Sequence, residues 1–273
     1  MTKIIQYLAI TFLLLITTLV NAQDFQGKAY YQTKRNFSVS LDSTKMDDAQ
    51  QKAIQDMIRK QFEKTYILTF SKTESTYVEE EKLDKPAPNS SGMVFKIGGL
   101  GGVLYKNTKE NTFADAQEMF GKKFLIKDSL RKIEWKTEKE TKIIGKYLCL
   151  KATFIEMIDD YNTDGSKKEK QTERLITAWY TPEIPVSNGP KDYQGLPGLI
   201  LELHEGKMHY VCNKIVMNPK EKIKIVAPTK GKEVNEKEYK KIMDKQQKKM
   251  MENFHDGRKK GNDGNRMTIT IGG

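Results

Sequence analysis

Leu199-Ile200-Leu201-Glu202-Leu203-His204-Glu205, then Gly206-Lys207, then Met208-His209-Tyr210-Val211-Cys212-Asn213-Lys214-Ile215-Val216-Met217, decides the fold class. Leu199, Leu201 and Leu203 alternate with Ile200, Glu202 and His204, the period of a strand with one face buried. Glu205-Gly206-Lys207 is a turn signal, so strands 199–205 and 208–217 read as a hairpin. Working outward, strands are expected at 65–72, 74–81, 103–107, 111–115, 122–128, 131–138, 141–157 and 172–181, with Gly27 to Leu41 as one strand or a hairpin. Short consecutive strands predict a mainly β fold, a single curved antiparallel sheet or open half-barrel with one amphipathic helix packed on it and a C-terminal helix besides.

The packed helix is expected over 45–64. Asp42-Ser43-Thr44 offers N-caps, and Met46, Ala49, Ala53, Met57 with Ile54, Ile58, Phe62 recur at helical spacing. Its stripe should face Leu148, Leu150, Ala152 and Phe154 across the concave side of the sheet. Full contact there makes a core; incomplete contact leaves a cavity lined by Ile54, Met57, Ile58 and Phe62. Met and Ala fill space adaptably or incompletely, which favours the cavity. The C-terminal helix is expected from Asn235 to Phe254, capped by Asn235 with Glu238 three residues on. Asp84 to Gly102 reads as a loop, and Asp256 to Arg266 as a charged, glycine-rich segment without packed structure.

Lys3, the apolar run Ile4 to Val20 and Val20-Asn21-Ala22 before Gln23 have the order of a cleavable signal peptide. The expected organisation is therefore residues 1–22 as signal peptide, 23–218 as a β-rich domain and 219–273 as a basic tail, partly helical. Of the net charge of +11, the tail carries +7, from 15 Lys/Arg against 8 Asp/Glu. Its acidic interruptions favour a solvated helix; contact with an anionic membrane surface is the second reading, and nucleic acid is not an expected partner.

An exported chain with two cysteines invites a disulfide between Cys149 and Cys212, whose Tyr-x-Cys-x-Lys surroundings match. Topology objects: strands pairing in sequence order hold the two roughly 14 Å apart, and a disulfide needs Cα atoms within about 7 Å. Both outcomes stand at this point.

No motif with a known chemistry stands out. His204-Glu205-Gly206-Lys207-Met208-His209 approaches a zinc-protease motif but has one residue too many and flanks a hairpin turn. Gly98-Gly99-Leu100-Gly101-Gly102 lacks the Lys-Ser/Thr of a phosphate loop, and Asp159, Asp160 and Asp164 lack calcium-loop spacing. No cofactor or metal is expected.

The most distinctive residues are Trp179-Tyr180-Thr181-Pro182-Glu183-Ile184-Pro185-Val186-Ser187-Asn188-Gly189-Pro190 and then Gly195-Leu196-Pro197-Gly198-Leu199-Ile200. The second segment spells the hexapeptide of the GLPGLI family of exported bacterial proteins, and the first resembles the run that precedes it there. The resemblance covers about residues 25 to 218. It implies an envelope protein, periplasmic or outer-membrane-associated, with no established activity and a possible link to outer-membrane transport. The strand pattern also looks similar to the open half-barrel of periplasmic lipoprotein carriers, which encloses an apolar cavity. Physically, Pro182, Pro185, Pro190 and Pro197 bar a central strand, so this segment is a shaped crossover with Leu196 and Leu199 in the core. Alternatively it is the lip of a binding site, with Trp179, Tyr180, Tyr193 and Leu196 as contact surface.

The function expected is non-catalytic: a binding or carrier module for an apolar ligand or an envelope protein. An accessory partner of an outer-membrane transport system and a hydrolase with an unrecognised site are the alternatives.

Overall fold

The computed structural model describes residues 25–35, 38–40, 47–49, 52, 63–80, 102–160, 168, 170–221, 223–260 and 270–272. It is mainly β. The strands are β1 (Gly27–Arg35), β2 (Ser38–Ser40), β3 (Thr65–Phe70), β4 (Glu74–Glu79), β5 (Val103–Asn107), β6 (Thr112–Met119) and β7 (Lys122–Ser129). They continue as β8 (Lys136–Ile144), β9 (Tyr147–Ile158), β10 (Thr172–Thr181), β11 (Leu199–Glu205), β12 (Met208–Met217), β13 (Lys232–Val234) and β14 (Thr270–Gly272). Helix α1 spans Glu236–Lys260.

Two antiparallel meanders, β3 to β7 and β8 to β12, are joined through β1 into a 12-stranded sheet of order β13-β7-β6-β5-β4-β3-β1-β12-β11-β10-β9-β8. β1 supplies the joint because both its edges are paired: Ala29 faces Leu68 of β3 on one side and Ile215 of β12 on the other. Its alternate residues Ala29, Tyr31 and Thr33 are buried, as the pleat of a half-buried strand requires. β2 does not pair with β1; it forms a separate two-stranded ladder with β14.

The hairpin of β11 and β12 turns at Gly206, whose φ of 59° suits glycine. The stretch 141–157, expected as one strand, divides at Gly145 (φ 61°), and the strand before it occupies 136–144 instead of 131–138. A glycine amid β-branched and charged neighbours hid this two-residue turn, which lacks the usual Asn-Gly or Asp-Gly signal.

Helix α1 touches strands near both ends of the sheet order. Val234 and Tyr239 pack against Phe124 and Ile126 of β7, while Lys240 pairs with Asp159 at the far end of β9. The helix begins on a reciprocal cap: Asn235 Oδ1 accepts from the Glu238 amide at 2.8 Å, and Glu238 Oε2 accepts from the Asn235 amide at 3.2 Å. It continues to Lys260, through the start of the segment expected to lack structure. The expected packed helix falls almost wholly outside the described residues, although Asp48, Ala49 and Lys52 are helical. The element seen filling the interior is the crossover between β10 and β11, whose Ile184, Val186, Tyr193 and Leu196 are buried.

Candidate functional site

The crossover is built to stay in one place. Asn188 donates through Nδ2 to Ser75 Oγ of β4 at 2.7 Å, and its backbone carbonyl accepts from the Ile200 amide at 3.0 Å. Tyr31 of β1 donates to the Ile200 carbonyl at 2.6 Å, and Trp135 to the Gln194 carbonyl at 2.9 Å. Gly198 is required by close approach: a Cβ there would lie 2.2 Å from the Thr181 carbonyl oxygen. Lys106 of β5 reaches in from the other meander and donates to the carbonyls of Lys191 at 2.7 Å and of Gly189 and Tyr193 at 3.3 Å each. Burial lowers its pKa to about 7.

Beside this anchored loop lies a cavity of about 700 Å³ whose walls come from both meanders and from α1. One wall is apolar and aromatic, with Tyr66, Tyr77, Leu104, Phe113, Ile126 and Leu130. Tyr66 and Tyr77 stack with centroids 4.9 Å apart and planes 7° from parallel. The Tyr77 hydroxyl is buried there without a hydrogen-bond partner among the described residues.

The lining also carries charged side chains that neutralise one another or their neighbours. Arg174 pairs with Glu156 and, at 2.9 Å, with Glu205; Lys191 pairs with Glu205 at 2.8 Å. Arg131 pairs with Glu156 and, at 2.7 Å, with Asp192. Hydrogen bonds from the two guanidiniums outweigh desolvation and hold Glu156 below the usual carboxylate range. Asp115 behaves oppositely: burial raises its pKa to about 6, against a hydrogen bond from Gln117. Gln117 in turn accepts from Tyr239 at 2.8 Å, so the first turns of α1 close this side.

Of the residues expected to bind ligand, Ile54, Met57, Ile58 and Phe62 lie outside the described residues. Tyr180, Tyr193 and Leu196 are packed into the core, and Trp179 sits half-buried under the Lys142 ammonium at 4.3 Å; none of the four lines the cavity. The loop touches the cavity through Lys191 and Asp192 instead, because its apolar side chains are turned into the core. Cys149 and Cys212 are free, buried thiols in one apolar cluster, on β9 and β12 with β10 and β11 between them. Burial raises their pKa values to about 11 and about 12. His204 and His209 face each other across the hairpin, rings 4.2 Å apart, and His204 Nε2 lies 2.7 Å from Glu202. Among the described residues there is no grouping of side chains able to hold a metal ion.

Sequence reasoning missed the charged lining. One signal was present: Glu205 continues the stripe of Leu201 and Leu203, which places a carboxylate on a buried face and calls for cationic partners.

The fold is a mainly β, largely antiparallel 12-stranded open sheet with a cavity beside its crossover. Residues 135–202, a span that contains the hexapeptide 195–200, match a family described as "Protein of unknown function (Porph_ging)". No curated protein matches the chain. Two solved structures of PNGF-II are similar, in space group C2 (TM-score 0.47, 15% identity) and space group P21 (TM-score 0.48, 14% identity). Each match covers 80% of this chain, and the chain spans only 32% and 33% of their lengths.

Proposed function

We propose that this protein is a non-catalytic binding or carrier module of the cell envelope, holding an apolar ligand in the cavity between the two meanders. The observation that carries the reading is the cavity: its volume of about 700 Å³ falls in the range of small-molecule sites, about 300–1,000 Å³. Its aromatic wall supplies the burial that drives apolar binding. The charged lining supports storage over chemistry, since its Arg, Lys and Glu groups neutralise one another. The signal-peptide pattern of residues 1–22 and the GLPGLI hexapeptide support an exported location, periplasmic or outer-membrane-associated. Organic extraction of the protein purified from envelope fractions, followed by mass spectrometry, should recover a stoichiometric apolar molecule. Recovery of none, together with failure of the protein to take up acyl chains, overturns the reading.

A second reading is favoured by Lys106 and Asp115, both lining the cavity and both shifted towards their neutral forms. Shifted groups in a cleft are candidates for acid–base roles. A hydrolase using Asp115 as a general acid would lose turnover in Asp115→Asn, while a carrier would keep its affinity.

A further inference from the structure

A second surface lies at the tip of the β6–β7 hairpin, away from the cavity. The two strands pair as far as Met119 and Lys122, so the loop between them is Phe120-Gly121 alone. Both residues have positive φ, 51° and 71°, the conformation that Asn-Gly supplies without strain in two-residue hairpins. Gly121 suits it; Phe120, with a Cβ and a ring, is strained there. The ring is nevertheless 53% exposed. Backbone strain that holds a large apolar side chain out in water points to a use outside the fold.

The ring borders a groove of about 310 Å³ between the hairpin and α1, whose apolar lining is Met119, Phe124, Ile242 and Met243. Met250 lies two helical turns beyond Met243 on the same face of α1 and is 55% exposed, so the apolar band runs on past the groove. Cations edge the band. Lys122 and Lys232 line the groove, and Lys245 and Lys249 follow Ile242 along α1 at exposed positions. Nearby carboxylates are already engaged, Glu118 by Lys123 at 4.0 Å and Glu233 by Lys127 at 2.8 Å. Among the described residues none of the four lysines has an ion-pair partner.

The geometry points to docking on an anionic lipid bilayer, with the Phe120 ring inserted among the headgroups, the methionine and isoleucine band at the acyl boundary and the four lysines on the lipid phosphates. A bilayer asks for a shallow apolar band rimmed by cations on long apolar stems, which is what these residues present. An acidic protein segment would gain most from a run of backbone groups to pair with, and β13, the strand edge beside the groove, is three residues long. The surface shares no lining residue with the cavity, so the inference stands apart from the binding reading above.

The test is co-sedimentation of protein purified from envelope fractions with vesicles of phosphatidylcholine alone, or of equal parts phosphatidylcholine and phosphatidylglycerol. Wild type should pellet with the mixed vesicles and stay in solution with phosphatidylcholine, and pelleting should fall as salt rises. Phe120→Asn should weaken binding about tenfold while its melting temperature holds or rises, because Asn accepts the left-handed turn. A merely structural phenylalanine would not give that combination. Lys122→Gln together with Lys232→Gln should also weaken binding about tenfold. Wild type that sediments with neither vesicle, or equally with both, or mixed-vesicle binding that survives Phe120→Asn, overturns the inference. So does Phe120-dependent capture of a fluorescent polyglutamate peptide in place of the vesicles, which would assign the face to an acidic protein. Ligand uptake in the cavity should be the same in Phe120→Asn as in wild type, so failure here leaves the binding reading standing.

Discussion

Lys106 Nζ on β5 lies 2.7 Å from the backbone oxygen of Lys191, so a side chain of one meander holds the crossover of the other. This contact places a charge where water cannot reach it, and pH should register it. The ordinary lysine pKa of 10.5 falls to about 7 in the folded chain, driven first by burial. Between those values the unfolded chain binds the extra proton, so the Lys106 contribution to stability rises as pH climbs from about 7 towards 10.5. Denaturant unfolding of wild type and Lys106→Met at about pH 6 and about pH 9 should show the difference moving in favour of wild type at the higher pH. A constant difference would mean that Lys106 keeps its charge throughout.

Asp115 gives the complementary sign. Its pKa rises from 3.8 to about 6, so the folded chain holds the proton longer and stability falls as pH increases across that window. Asp115→Asn should therefore stabilise the protein at neutral pH, by about 2 kcal/mol, with the gain disappearing in acid. Thermal melts at the two pH values check both halves.

Two glycines, Gly198 in the crossover and Gly145 in the turn between β8 and β9, separate close approach from mere conformation. Gly198→Ala drives a methyl to 2.2 Å from the Thr181 carbonyl and should cost more than about 3 kcal/mol. Gly145→Ala, at φ 61° with open space around it, should cost only about 1 kcal/mol. Equal losses in equilibrium unfolding would show that the loop yields at Gly198.

How legible this protein is depends on how local each feature is. β10, β11 and β12 lie at 172–181, 199–205 and 208–217 as their alternation predicts, since pleat and turn residues are written in neighbouring positions. The pairing of β1 with both β3 and β12 is not written that way; Ala29 meets Ile215 across most of the chain. The cavity is less legible still, because Tyr77, Arg131, Arg174 and Glu205 come from four separate segments and converge only in the folded chain. Trp179, Tyr180 and Tyr193 stand out as amphipathic aromatics in the sequence, yet Tyr180 of β10 and Tyr193 of the crossover are core residues.

Cys149 and Cys212 are separated in the sheet by β10 and β11, and each thiol is buried among apolar side chains. Thiol titration of protein unfolded without reductant should count two free groups, and the folded protein should react far more slowly because burial disfavours both thiolates. A count of zero would mean that the sheet brings the sulfurs together.

The central claim is that the chamber between the meanders takes up an apolar chain. Calorimetric titration of methyl decanoate at several temperatures reads this directly, since burial of apolar surface gives a negative heat-capacity change. Wild type should bind one equivalent with that signature, and Leu104→Trp, which fills the aromatic wall, should abolish binding while the protein still melts cooperatively. Binding that survives in Leu104→Trp, or a titration with no heat-capacity change, would contradict the account.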